Sequence, residues 1–474
     1  MTWYPLPRSR WTPPAIAGLV LALLVVRWYP DPASDETLTL TIAWQVSQGL
    51  GLYRDVFEFH PPGTFYFFGA LFRVFGPSYL AAKIAIVLLT AATGFALDVL
   101  VRRFTSRGLP RVTVLAGWLL LVWQFPAIGY HSLAHLASIW VALFLVLASV
   151  ERRTGWALAC GLATAAAGWY MQPYGVVLAA VGVGSMLATR QLRLAFAYVA
   201  ALAIALLPLL AWPLPLLWQH LVRFPLTYYA PANLSQGSPA GLFVLVAVVL
   251  MVGAAAVFSR RVPSGFWPLW FMSLVLPLTV WPHSQVGYLA SVAWPLLLLL
   301  VVTPPGGGAM REQISAIVGQ SLRFVAVVGG IAAAVVSVGF FSVRWPLHDE
   351  FGLRVPFWDD LGTAVQARTR TNEPIFAVPY LPAIYFFAQR PNATRHNSLQ
   401  TAFHPPYVLD EIITDLERTK PRVVIREYAS WLARLGQYDE GNRVDAYLDM
   451  HYRFSEELTQ FAPRRIQLWE RRVP

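Results

Sequence analysis

Apolar runs of about 17–25 residues, the length that crosses a hydrocarbon core of about 30 Å, recur along most of the chain. Eleven lie near residues 13–30, 78–101, 112–127, 132–150, 155–170, 174–189, 194–211, 240–258, 264–281, 286–303 and 323–342. Each predicts a membrane-crossing helix. Leu and Ala fill the runs, and Trp and Tyr gather at their ends, as interfacial belts require. Gly63–Phe75 is apolar but too short to span, and predicts a juxtamembrane helix. The first run is long for a signal-peptide core and no A-x-A site precedes Asp35, so it predicts a retained helix. After Phe341 the pattern becomes that of a globular domain. Short β-type runs fall at Ile375–Val378, Val423–Ile425 and Ile466–Trp469, with helical periodicity near Leu381–Ala388, Val408–Glu417 and Val444–Tyr452. The fold class expected is an α-helical polytopic membrane protein, residues 1–343, carrying a small C-terminal α/β domain, residues 344–474.

Composition agrees with that pattern. Hydrophobic residues make up 57% and charged residues 13% of the 474, against about a quarter charged in soluble proteins. The net charge of +11 comes almost entirely from arginine, Lys83 and Lys420 being the only lysines. With the N-terminus inside, the cytoplasmic loops hold Arg8, Arg10, Arg102, Arg103, Arg107, Arg111, Arg152, Arg153, Arg190, Arg193, Arg260, Arg261, Arg311 and Arg323. The short outer loops hold only Arg54, Arg73 and Arg223. Counting Gly63–Phe75 as a span would scatter these arginines to both sides, so the positive-inside rule favours eleven spans and an outward C-terminal domain. The charge is thus one of topology, and no nucleic-acid partner is expected. A single cysteine, Cys160, excludes a disulfide within the chain.

Two outer loops are long, Asp31–Pro77 and the aromatic, proline-rich Trp212–Pro239. In the first, Leu38, Ile42 and Val46 at i, i+4, i+8 predict a helix with one apolar face, able to lie on the membrane surface. Asp35 and Glu36 begin it. They serve either as capping acids for free N–H groups or as a catalytic carboxylate at the interface. Arg54, Asp55, Glu58 and His60 follow, leading into Pro61-Pro62-Gly63. A stiff turn explains the prolines and glycine but not four ionisable groups between two apolar helices.

These residues resemble the GT-C superfamily of polyprenyl-phosphate-sugar-dependent glycosyltransferases, nearest its protein O-mannosyltransferase and lipid A aminoarabinose transferase branches. The acidic pair after the first span is matched by Asp35-Glu36, and an acid-x-His/Lys-Pro-Pro motif by Glu58-x-His60-Pro61-Pro62. Weaker echoes are Met171-Gln172, where the family has Lys-Gln, and the outer residues His283 and Tyr288. The resemblance implies transfer of a sugar from a polyprenyl-phosphate donor to a lipid, glycan or protein hydroxyl, with inversion. Asp35 would be the base, with Glu36 and Glu58 as further catalytic carboxylates. His60, Arg54, Arg223, Gln172, His131, His283 and Tyr288 would hold the donor phosphate or substrate. No cofactor is expected. His131 and His135, at i, i+4, are the pair with chelating spacing, should a divalent metal be used. Tyr385–Arg390 predicts a core helix, with covering of the site as its functional alternative, and Asn392-Ala393-Thr394 is a glycosylation triplet. The location implied is the inner (plasma) membrane, N-terminus cytoplasmic and C-terminal domain periplasmic or extracellular. A transporter or flippase of lipid-linked sugars, or a non-catalytic scaffold, are the competing classes. A transporter should carry charged or broken helices at mid-membrane, whereas the polar groups here gather at outer ends.

Overall fold

The computed structural model describes residues 34–105, 108–122, 128–234, 246, 249–250, 265–280, 288, 291–302, 356–428, 430–434, 436–461 and 464–472. The runs at 13–30 and 323–342, most of 240–258, and His283 lie outside the described residues. The helical part comprises α1 (Ser34–Ser47), α2 (Gly63–Phe75), α3 (Tyr79–Arg102), α4 (Gly108–Val122), α5 (Tyr130–Glu151), α6 (Thr154–Tyr170), α7 (Gln172–Ala188), α8 (Leu192–Leu206), α9 (Phe266–Val275) and α10 (Trp294–Val302). Among the described residues, three helical stretches are long and apolar enough to cross a membrane: Tyr79–Arg102, Tyr130–Glu151 and Leu192–Ala211. α2 has 13 residues, about 20 Å at 1.5 Å per residue, short of a bilayer core.

α5 is apolar on every side and is the most enclosed of the three. Small residues let its neighbours approach: a Cβ at Gly161 of α6 would stand 2.4 Å from the Tyr198 carbonyl of α8. At the arginine-rich end, Asp98 closes α3 as a buried carboxylate gripped by Arg102 (2.7 Å) and Arg111 (2.8 Å).

α1 departs from the expected surface helix. Its apolar residues Leu40, Ile42, Ala43 and Val46 are buried, and so are Thr37, Thr39, Thr41 and Gln45. One flank packs on α2, where a Cβ at Gly69 would meet the Ala43 carbonyl at 3.0 Å. The polar flank is covered by the C-terminal domain: Thr41 Oγ1 donates to the Pro382 carbonyl at 2.6 Å. Periodicity shows one apolar face; it cannot show that hydrogen-bonding partners from a distant segment bury the other.

The segment expected to be a loop after Trp212 is helical instead, through Leu214–Trp218, Gln219–Arg223, Pro225–Tyr229 and Ala230–Leu234. Its middle is π-helical: the Phe224 N–H bonds the Gln219 carbonyl and the Ala230 N–H bonds that of Pro225. Pro225 lacks an N–H and cannot continue an ordinary α ladder, so the wider i→i+5 register is adopted around it.

The C-terminal domain holds a four-stranded sheet in the order β1-β2-β4-β3, formed by β1 (Ile375–Val378), β2 (Val423–Tyr428), β3 (Tyr452–Glu457) and β4 (Arg465–Arg471). β1 and β2 are parallel and the other pairs antiparallel. Alternation with period two divides the core. Ile375, Ala377, Val423 and Ile425 pack towards α11 (Pro356–Gln366) and α12 (Ala383–Ala388). Phe376, Val378 and Val424 pack against α13 (Pro406–Thr419) and α14 (Arg443–His451). α11 and β3 are additions to the expected elements; β3, Tyr-Arg-Phe-Ser-Glu-Glu, is polar and mostly outside the core.

Candidate active site

The loop between α1 and α2 is tied into a compact turn by its own polar groups. Glu58 Oε1 accepts the N–H of Phe59 (2.7 Å) and of His60 (3.0 Å), and lies 2.6 Å from His60 Nδ1. Both side chains are buried. The hydroxyl of Tyr53, itself in the left-handed region at φ 70°, donates to the His60 carbonyl at 2.8 Å. The His60 ring stacks on Tyr130 at 3.6 Å between centroids and 20° between planes. A carboxylate on Nδ1 fixes the imidazole tautomer and leaves Nε2 for other work.

His220, from the 214–234 helix, reaches the Glu58 main-chain carbonyl through Nδ1 at 2.7 Å. Burial depresses its pKa to about 4, so it is neutral at physiological pH and donates there as N–H. Gln172, at the start of α7, donates Nε2 to the carbonyls of Phe59 and Leu221, each at 3.2 Å. The turn is thereby tied to α7 and to the 214–234 helix.

The acidic pair on α1 is split between two environments. Glu36 is buried and takes Lys83 Nζ at 2.7 Å and the Ile128 N–H at 3.0 Å. Its charge is neutralised by the only lysine in the helical part. Asp35 lines a small pocket with Gly129, Tyr130, His131 and Ser132. Burial raises its pKa; His60 pulls it down, Glu58 pushes it up, and a hydrogen bond with Tyr288 lowers it. Tyr288 lies 4.6 Å from the His131 ring.

Asp35 thus has His131 beside it in the pocket, Tyr288 as a hydrogen-bond partner, and Glu58 and His60 within electrostatic reach. Arg54 lies on the exposed side, paired with Asp55 at 2.8 Å, and Arg223 is exposed and bonded to Gln219 at 3.3 Å. His135 accepts the Trp118 indole N–H at 2.9 Å, which occupies its Nε2. Among the described residues, no group of three or more His, Cys, Asp or Glu is placed to hold a metal. Tyr130, Tyr229 and His220 join the site without having been singled out in the sequence. Tyr229 packs on Phe59 at 4.9 Å. An aromatic residue at an outer helix end looks like an ordinary interfacial anchor, so no local signal separates these from their neighbours.

The arrangement offers a carboxylate of raised pKa beside a carboxylate-oriented imidazole, at the ends of apolar helices. It can accept a proton from a hydroxyl and offer hydrogen-bond donors to an anion.

Solved structures share this architecture. ArnT from Cupriavidus metallidurans, solved bound to undecaprenyl phosphate, is 15% identical over 96% of this chain and 97% of its own, with a TM-score of 0.54. In its apo state the figures are 16%, 96%, 98% and 0.56. The mycobacterial arabinofuranosyltransferase AftD is 15% identical over 100% of this chain and 41% of its own, with a TM-score of 0.52. Both are GT-C enzymes, and at these identities the likeness is one of fold: this chain has the GT-C fold. No protein-family model and no curated protein sequence matches it.

Proposed function

We propose that this GT-C-fold chain is a glycosyltransferase that moves a sugar from a polyprenyl-phosphate donor to an acceptor hydroxyl at the outer face of the membrane. The observation that carries the reading is that buried Asp35, at a small pocket walled by Tyr130 and His131, feels the charges of the Glu58–His60 pair, whose imidazole stacks on the same Tyr130. That ArnT has been solved with undecaprenyl phosphate supports the donor class. In the reaction, the acceptor oxygen forms a bond to the anomeric carbon while the bond from that carbon to the phosphate oxygen breaks. The electron pair leaves with the polyprenyl phosphate, the acceptor proton passes to Asp35, and the anomeric configuration inverts. The phosphate gains negative charge as it departs, and we assign His60 and Tyr130, stacked on each other beside Asp35, to meet it with donors. Eleven spans, an inward N-terminus and an outward C-terminal domain complete the reading, and put this chemistry outside.

Asp35→Asn tests it. Purified enzyme in vesicles carrying a polyprenyl-phosphate sugar should lose about 10²–10⁴-fold in turnover, with the variant still folded. The wild-type product should show the inverted anomer by NMR. Unchanged turnover in the variant would remove Asp35 as base. A retained anomer would remove the single-step mechanism. Movement of the lipid-linked sugar across the bilayer without transfer would favour the flippase class.

A further inference from the structure

The outer domain grips the catalytic loop through the segment Asn392–Asn397. The Phe57 N–H bonds the Arg395 carbonyl at 2.8 Å. Arg395 Nη2 bonds the Tyr53 carbonyl at 2.9 Å, and its guanidinium lies 5.6 Å from the centre of the Phe57 ring. His396 packs on the same ring at 4.7 Å. The side-chain amide of Asn397 exchanges two bonds with that of Gln45, each 2.8 Å. Gln45 is on α1, whose first turn carries Asp35, and Phe57 directly precedes Glu58. One segment thus holds both halves of the site, the helix that carries Asp35 and the loop that carries Glu58 and His60.

The segment is shaped before it meets them. Asn392 Nδ2 donates to the His396 carbonyl (2.8 Å) and to Asn397 Oδ1 (3.0 Å), and its Oδ1 accepts the Thr394 N–H at 3.0 Å. The Arg395 N–H is held by Asp415, and His396 Nε2 lies 3.0 Å from Glu411, both on α13. The triplet Asn392-Ala393-Thr394, legible as a glycosylation sequence, spends its asparagine amide on building this turn. Rigid support outside the reacting groups is what holds a site to within fractions of an ångström.

We propose that Arg395 and Asn397 are positioning residues that set the spacing between Asp35 on α1 and His60 on the loop, making the outer domain part of the catalytic machinery. The proposal rests on the transferase reading, and its test separates the two. Full-length Asn397→Ala, Gln45→Ala, their double variant and Arg395→Ala are compared in vesicles with the polyprenyl-phosphate sugar donor. Each single variant should lose about 10–100-fold in kcat while the donor KM stays within about twofold, the signature of misplaced reacting groups. The double variant should be no worse than either single one, because the two amides act together. Exchanging the pair, Gln45→Asn with Asn397→Gln, should restore most of kcat. Hydrogen exchange across residues 53–60 should speed up in Asn397→Ala and Arg395→Ala. Unchanged kcat per folded molecule, with only a lower melting temperature, would overturn the proposal. If wild type transfers nothing, the transferase reading fails. The exchange measurement then decides alone: unaltered protection of 53–60 sinks the positioning role, and lost protection upholds it.

Discussion

Adjacent acids on one helix do different work here, and their partners explain why. Glu36 meets a lysine 47 positions away. Neutralising it breaks the buried ion pair with Lys83, a change that typically costs about 3–5 kcal/mol. Glu36→Gln should therefore lower the yield of folded protein and its thermal midpoint, while the molecules that fold keep their turnover. Asp35→Asn should do the reverse. A carboxyl whose native pKa is raised above its ordinary value destabilises the fold while ionised, and that cost vanishes as pH falls below the native value. Removing the charge should raise the melting temperature while transfer is lost. Thermal melts of both variants beside a transfer assay check the pair, and parallel behaviour would remove the division of labour. For the same reason the acid limb of kcat/KM should lie above the ordinary carboxylate range near 3.8, since Asp35 must be ionised to act as base. The sequence places Asp35, Glu36, Glu58 and His60 in one loop. It carries no mark of which acid Lys83 will claim, because that pairing is made by helix packing.

Three histidines meet where the loop, the 214–234 helix and the C-terminal domain come together. Phe57 stands among them, 5.4 Å from His220, 4.7 Å from His396 and 5.9 Å from His404. Burial holds all three below the ordinary value of 6.5, His220 at about 4 and His404 at about 3. His404 Nδ1 accepts the Gln400 N–H at 3.1 Å, a bond that requires the unprotonated nitrogen. A histidine depressed in the native state is fully tolerated above its unfolded pKa. Below about 6.5 the opened junction binds protons that the closed one refuses, so stability should fall as pH drops from there towards 4. Glu411, whose own pKa is lowered chiefly by its bond to His396, loses its contribution over the lower part of that range, in the same direction. Arg395 opposes histidine protonation, and Glu58 and Asp415 favour it. Hydrogen exchange corrected for intrinsic rate should show residues 53–60 and 395–404 opening at pH 5 but not at pH 7.5. Equal protection at both would rule the effect out. At this scale most elements were legible from periodicity, including the strands at Ile375 and Val423. The 214–234 segment with its π-helical middle was not, because its three prolines and many aromatics look like loop when the packing around His220 and Phe224 is unseen. Nor was β3, whose polar alternation is paid for by pairing with β4.

The architecture of the whole molecule turns on α2. This 13-residue helix packs against α1, with Gly63 against the end of α6, where a Cβ would stand 2.6 Å from the Trp169 carbonyl. A helix of that length is too short to span, and in the proposed topology it returns the chain to the side from which it came. If α2 crossed, every later loop would change sides, and the arginines of the loops at 102–111, 152–153 and 190–193 would face outward against the positive-inside rule. Two surface positions decide between these arrangements. Arg153, between α5 and α6, is 74% exposed at its side chain, and Met450 on the outer domain is 70% exposed. The one native cysteine, Cys160, is buried, so single-cysteine substitutions report cleanly. In intact cells or sealed right-side-out vesicles, Met450→Cys should react with a membrane-impermeant maleimide, and Arg153→Cys only after the membrane is opened. Labelling of Arg153→Cys from outside would mean that α2 or an equivalent segment spans. Tyr130, His131, the 214–234 helix and the C-terminal domain, which all follow α2, would then belong to the side opposite Asp35 and the Glu58–His60 pair, and the transferase reading would fall with the topology.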